Sequence, residues 1–264
     1  MQWPTLPEPA ASEENSPPGP AAPPFMRVDG HPRSLYFSLD ELQSRMDSRR
    51  PFDLEVDYTR TMMGFLLFRP ATGNIAMIGL GGGSLAKFCY RHLPDSRITV
   101  AEINPHVIAL RRDFMIPEDD SRFAVVQMDG ADFMATHAGA VDALLVDGFG
   151  AEGQPPALCS QAFYDSCAQA LSPDGILVVN LHYDSPDYAV CVARLQRSFS
   201  GAVLEIPAPE KSNCIIFAGH RAFPPRRSID IRKLLSGMAA DGRQQLQQEF
   251  SRVLWCMNSA DDAD

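Results

Sequence analysis

Three acids stand just past three short apolar runs. Glu102 follows Arg97-Ile98-Thr99-Val100-Ala101, Asp129 follows Phe123-Ala124-Val125-Val126, and Asp147 follows Ala140-Val141-Asp142-Ala143-Leu144-Leu145-Val146. An ionised carboxylate accepts hydrogen bonds and donates none, so an acid at each tip suits hydroxyl, amino or ammonium groups of a ligand. Upstream lies Ile78-Gly79-Leu80-Gly81-Gly82-Gly83-Ser84. Glycines let a backbone turn sharply and approach a ligand closely, and the helix start beyond them leaves N–H groups free. Glu102 comes 23 residues after Gly79, where doubly wound folds place an acid for ribose hydroxyls. Asp129, with Gly130 behind it, suits an adenine amino group or, alternatively, a helix cap. A tight turn without any ligand would also use these glycines.

The elements that must position these groups alternate. Ile75–Ile78 reads as a strand, Leu85–Leu93 as a helix, Arg97–Ala101 as a strand and Pro105–Phe114 as a helix. Strands at Phe123–Val126 and Ala140–Val146, a helix at Gln161–Leu171 and a strand at Gly175–Val179 follow. A helix near 186–199 and strands near 202–206 and 213–218 complete the pattern. Alternation of this kind predicts an α/β fold, Rossmann-like and doubly wound, with a mostly parallel seven-stranded sheet and helices on both faces. Such sheets bind ligands at the carboxyl ends of their strands, where the three acids converge. The loop reads G-x-G-x-G, with Ser84 where a dinucleotide fingerprint has its last glycine. That difference, with an acid after the third strand, favours an S-adenosyl compound over a dinucleotide.

The remaining segments frame this unit, read as residues 74–220. Residues 1–24, rich in Pro, Ala, Ser and Glu, read as a disordered tail. Residues 25–73 lead into the unit, with Ser38-Leu39-Asp40-Glu41 resembling a capping box and Thr61–Phe68 reading as a buried helix. Residues 221–264 read as a C-terminal helical segment, with helices over Ser228–Ala239 and Arg243–Cys256. A net charge of −10 opposes nucleic-acid binding through phosphates. No apolar run reaches the ~18 residues that span a bilayer. No charged start and apolar stretch mark a signal peptide, and no C-x-x-C pair or metal spacing occurs. The six cysteines read as buried, reduced thiols, and the chain as cytoplasmic.

In combination, Ile78–Gly83, Ala101-Glu102-Ile103-Asn104, Met128-Asp129-Gly130-Ala131-Asp132, Leu145-Val146-Asp147, Ser160–Tyr164 and Leu171–Leu177 resemble the polyamine aminopropyltransferases, the spermidine synthases. These sit within the S-adenosylmethionine-dependent methyltransferase superfamily. The resemblance covers roughly residues 74–182. It implies a site for decarboxylated S-adenosylmethionine and methylthioadenosine. Glu102 would hold the ribose, Asp129 and Gly130 the adenine, and Gly79, Gly81 and Gly83 the amino-acid-like arm. Gln43 would match a glutamine of the family's N-terminal hairpin. The family often forms dimers, which makes a homodimer an expectation here.

Four departures bear on the reaction. Gly82 replaces the acid of the family's G-G-G-D-G loop, and Gly150 replaces the second acid of its D-[ST]-x-D-P stretch. Tyr58-Thr59-Arg60 stands for Tyr-His-Glu, and Asn104 for an aspartate. Aminopropyl transfer needs an amine that is protonated at neutral pH, so a carboxylate must remove a proton and others must grip the cation. Loss of these acids points first to a group transferase of S-adenosylmethionine type other than a standard spermidine synthase, because methyl transfer relies on alignment. A small-molecule acceptor is expected. Genuine aminopropyl transfer would draw on Asp147, Glu152 or Asp184, and the third reading is a nucleoside-binding module without catalysis. His182 and Tyr183, after the fifth strand, are candidates for the acceptor pocket or plain strand-end residues. His92 reads as structural, and Trp3 and Trp255 carry no evident chemistry.

Overall fold

The computed structural model describes residues 23–37, 42–150, 153–210 and 212–261, with side chains as far as 257. Residues 1–22 of the expected tail, the expected capping box at 38–41, and Glu152 lie outside the described residues.

The chain opens with strands β1 (Phe25–Val28), β2 (Pro32–Tyr36) and β3 (Leu42–Asp47), which form an antiparallel three-stranded sheet. Helices α1 (Asp57–Met62) and α2 (Phe65–Phe68) lead to β4 (Asn74–Ile78), α3 (Ser84–His92), β5 (Arg97–Glu102) and α4 (Pro105–Ala109). Then come β6 (Phe123–Gln127), α5 (Gly130–Ala135), β7 (Val141–Val146), a 3₁₀ turn at Pro156–Cys159 and α6 (Gln161–Ala170). Strand β8 (Leu171–His182), α7 (Tyr188–Ser198), β9 (Val203–Pro207) and β10 (Asn213–Gly219) complete the main sheet. After a 3₁₀ turn at Arg226–Ser228, α8 (Ile231–Leu234) and α9 (Ala240–Asp261) end the chain.

The main sheet has seven strands in the order β6-β5-β4-β7-β8-β10-β9. All pairs are parallel except those made by β10, which runs antiparallel to β8 and β9. The fold class is therefore the expected one. The central strands β4, β7 and β10 are almost wholly buried because both faces are covered, while the edge strands β6 and β9 are only partly so. Ile75, Met77, Leu145, Val178 and Phe217 face one core with α3, α9 and the leading segment, including Leu35, Met62, Phe65 and Phe250. Ala76, Ile78, Leu144, Val179 and Ile216 face another with α5, α6 and α7, including Phe133, Tyr164 and Leu195.

Local packing changes several expected elements. The run Thr61–Phe68 is buried but broken at Met63-Gly64. A side chain on Gly64 would stand 2.9 Å from Phe217 and 2.8 Å from the Thr61 carbonyl, so the chain kinks there around the β10 ring. The helix expected through Phe114 is regular only to Ala109 and continues as turns. The helix expected over Ser228–Ala239 shrinks to Ile231–Leu234, while α9 outruns its expected bounds. Strand β8 starts at Leu171, with a bulge against β7 that absorbs Ser172–Gly175. The small leading sheet and α5 were not legible as elements. No described helix is long and apolar enough to cross a membrane.

Candidate functional site

Strand order fixes where a site can form. From β4 the chain steps to β5 and β6 on one side, then crosses to β7 on the other, so the carboxyl ends of β4 and β7 flank a switch point. The glycine loop follows β4 and Asp147 follows β7. The Asp147 N–H donates to the Ile78 carbonyl at 2.9 Å, and the Gly79 N–H donates to the Ala101 carbonyl at 2.9 Å. Gly79 has φ +92°, and a Cβ there would stand 2.3 Å from the Asp147 carbonyl oxygen. The sequence therefore needs glycine here for conformation and for clearance together. A cavity of about 730 Å³ opens at this edge.

Glu102, at the end of β5, is buried against the loop. Its Oε2 accepts from the Leu80 N–H at 2.9 Å and its Oε1 from the Asn104 N–H at 2.8 Å. Burial pushes the carboxyl up, and backbone N–H groups of Asn104, Leu80, Gly81 and Ile103 pull it back. Asp129 caps α5, its Oδ1 accepting from the Ala131 N–H at 2.7 Å and the Asp132 N–H at 3.2 Å. The capping alternative is thus realised, while Asp129 and Gly130 also line the cavity. Between these acids stand exposed Ile103 and Met128, apolar surface left open at the cavity rim.

Asp147 anchors a polar chain that the sequence did not reveal. The Tyr58 hydroxyl donates to its Oδ2 at 2.9 Å and the Asn180 amide to its Oδ1 at 2.9 Å. Asn213 donates to Asn180 at 2.8 Å, and Ser212 to Asn213 at 2.9 Å. Burial raises the Asp147 carboxyl against these bonds, and burial beside the Asp147 charge holds the Tyr58 phenol well above its usual range. Asn180 follows the apolar run Leu177-Val178-Val179 as Asp147 follows its own run, so the same signal existed for it.

Of the expected site residues, Gly79, Gly81, Glu102, Asp129, Gly130 and Asp147 share the cavity wall, as do Gln43 and His182. Gly83 does not: it precedes α3 at φ +70°, and a Cβ there would meet Ile116. Asp184 and Tyr183 also lie off the wall, because β8 ends at His182 and the chain turns away, with Tyr183 against Tyr188. The two glycines at former acid positions differ. A Cβ on Gly82 would stand 2.5 Å from the Ser44 hydroxyl and 2.9 Å from Phe114, so that space is filled. Among the described residues, a Cβ on Gly150 would meet nothing nearer than the Gly153 carbonyl at 3.8 Å. Glu210, between β9 and β10, adds a carboxylate to the wall that sequence reading passed over.

Fold and strand-edge cavity together define a Rossmann-like protein of the methyltransferase type. Comparison with known proteins narrows this. Residues 55–192 match the profile of the spermine/spermidine synthase domain. The chain is 41% identical over 191 residues to the polyamine aminopropyltransferase of Chromobacterium violaceum, covering 72% of this chain and 73% of that protein. A probable spermidine synthase from Corynebacterium glutamicum superposes with TM-score 0.65 at 18% identity, covering 81% of this chain and 82% of that one. A spermidine synthase in complex with the transition state analogue AdoDATO gives TM-score 0.61 at 20% identity, with 79% and 77% covered. The chain belongs to the spermine/spermidine synthase family.

Proposed function

We propose that this chain is a group transferase using S-adenosylmethionine or its decarboxylated form as donor and a small molecule as acceptor. What carries the reading is the meeting of Glu102, Asp129 and the glycine loop on one cavity that also contains Asp147. In this reading Glu102 receives the ribose hydroxyls, Asp129 the adenine amino group, and Ile103 and Met128 the purine faces. Gly79 and Gly81 keep the wall free of side chains beside the arm of the donor, whose sulfonium makes the neighbouring carbon electrophilic. A Cβ on Gly81 would meet only Ser44 at 3.9 Å, so this stretch of wall has room for a ligand. The family relative bound to AdoDATO accords with an S-adenosyl-type ligand.

The absent acids at Gly82 and Gly150 support a transfer other than the standard aminopropyl reaction. A second reading, aminopropyl transfer, is favoured by the contact between Tyr58 and Asp147 and by the naming of the C. violaceum relative. There Asp147 would take the proton of an acceptor ammonium, freeing the nitrogen lone pair to form the C–N bond as the C–S bond breaks toward sulfur. Calorimetric titration with S-adenosylmethionine, its decarboxylated form and methylthioadenosine tests the donor site. We expect binding of at least one, weakened on the order of 10-fold or more in Glu102→Ala, which loses charge-assisted hydrogen bonds. Silence with all three removes the reading. Product masses from turnover with each donor then separate methyl from aminopropyl transfer.

A further inference from the structure

We propose that the corner of the cavity formed by Ser44, Ser84 and the first turn of α3 is a carboxylate site, and that it selects the amino-acid form of the donor, S-adenosylmethionine, over the decarboxylated form. The inference rests on reading the cavity as an S-adenosyl donor site, and it names which donor that site takes. Strand β3 carries Ser44 to the wall, and α3 begins with Ser84 on the same wall. Both serines are buried, at 7% and 8% exposure, yet neither hydroxyl has a hydrogen-bond partner among the described residues. A buried hydroxyl without a partner costs free energy unless a group entering the cavity bonds it. Helix α3 also starts without a side-chain cap. Its N-cap is Gly83, and the bond from the Lys87 N–H to the Gly83 carbonyl opens its ladder. The N–H groups of Ser84, Leu85 and Ala86 come before that bond, and all three residues line the cavity. Such donors, with the positive end of the helix dipole behind them, favour an anion.

Geometry puts this corner beside the arm of the donor. A Cβ on Gly82 would stand 2.5 Å from Ser44 Oγ, and a Cβ on Gly81 would find Ser44 at 3.9 Å, so the hydroxyl lies against the glycine loop. Residues 80–86 contain no acid, and glycine at 82 leaves none there to repel a carboxylate. A cation backs the same side: the Lys87 ammonium donates to the carbonyl of Phe114, whose ring stands 2.9 Å from the Gly82 Cβ position. Both forms of the donor carry a sulfonium and an ammonium, and only S-adenosylmethionine adds a carboxylate. The acids elsewhere on the wall favour the more cationic, decarboxylated form through a field that acts from a distance. The serine hydroxyls and helix N–H groups act on the carboxylate at contact, out of water, where charge-assisted hydrogen bonds outweigh such a field.

The test is calorimetric titration of S-adenosylmethionine, its decarboxylated form and methylthioadenosine into the full chain, repeated with Ser44→Ala, Ser84→Ala and the double variant. We expect the wild type to bind S-adenosylmethionine on the order of 10-fold or more tighter than the decarboxylated form. Each single variant should weaken S-adenosylmethionine about 3-fold or more, and the double variant on the order of 10-fold or more, as loss of two hydrogen bonds to a charged group requires. The decarboxylated form and methylthioadenosine, which lack the carboxylate, should stay within about 2-fold of their wild-type affinities. That constancy also reports an intact fold. Equal or tighter binding of the decarboxylated form by the wild type overturns the proposal and leaves the donor reading standing. So does an unchanged S-adenosylmethionine affinity in the double variant, or an equal fall for all three compounds. Silence of the wild type with all three fails the donor reading itself, and the proposal with it.

Discussion

At the scale of single residues, the polar chain around Asp147 makes a prediction about pH. Burial raises the Asp147 carboxyl, while the Asn180 amide and Tyr58 hydroxyl oppose that rise. Removing the hydroxyl in Tyr58→Phe leaves burial less opposed, so the carboxyl rises further. An acid whose folded pKa exceeds its unfolded one contributes stability below the unfolded pKa and loses it as pH rises through the folded value. The cost of Tyr58→Phe should therefore be small near pH 4 and grow to about 1–3 kcal/mol at pH 7, the usual worth of a hydrogen bond to a buried charge. Urea midpoints of variant and wild type across that range measure it, and an equal cost at both ends would mean that Tyr58 does not bond the ionised acid. Glu102, Asp129 and Asp147 were legible because each is a polar residue stranded just past an apolar run. Asn180 obeys the same rule, but a neutral amide past an apolar run carries no charge to mark it as chemistry. Ser44 and Glu210 reach the cavity only through a β-turn or a second sheet, and no local pattern announces that.

At the scale of elements, the glycine loop separates conformational need from clearance. Gly79 has φ +92° and almost touches the Asp147 backbone, which cannot yield without moving the end of β7. Gly81 has φ +51° but a Cβ there would find its nearest neighbour at 3.9 Å. Gly81→Ala should thus cost about 1 kcal/mol, the left-handed penalty alone. Gly79→Ala adds a backbone clash and should cost about 3 kcal/mol or more, with loss of nucleoside affinity. Chemical denaturation of the two variants compares them, and similar costs would show that β4 and β7 do not meet as described. The loop and the parallel strands were readable because their apolar runs are continuous and buried on both faces. The leading sheet was not: β1 is largely exposed and β2 and β3 lack clean alternation, so its pairing is set by the chain it packs against. Helix α8 and the break at Gly64 are likewise decided by neighbours, Phe217 above all, that sequence periodicity does not contain.

At the scale of the whole molecule, Lys87 ties three parts together. It sits fully buried on α3, and its ammonium donates to the Phe114 carbonyl at 2.8 Å and reaches the Met46 sulfur of β3 at 3.0 Å. The leading sheet, the helix after the glycine loop and the turn that covers Gly82 thus meet on one cation. Burial without a carboxylate partner lowers its pKa from 10.5 to about 7. A base whose folded pKa is depressed is stabilising above its unfolded value, and that stability is lost as pH falls toward the folded value. Between about pH 7 and 10 the unfolded chain holds a proton that the folded chain releases, so this residue makes stability rise with pH across that window. Lys87→Met keeps a similar volume, removes the charge and should flatten that rise, adding on the order of a few kcal/mol near neutral pH, where the wild type carries the buried ammonium. Thermal unfolding at pH 7, 8 and 9 tests it. A variant less stable than wild type at every pH, with the slope unchanged, would show that Lys87 is held by its two contacts more firmly than burial penalises it.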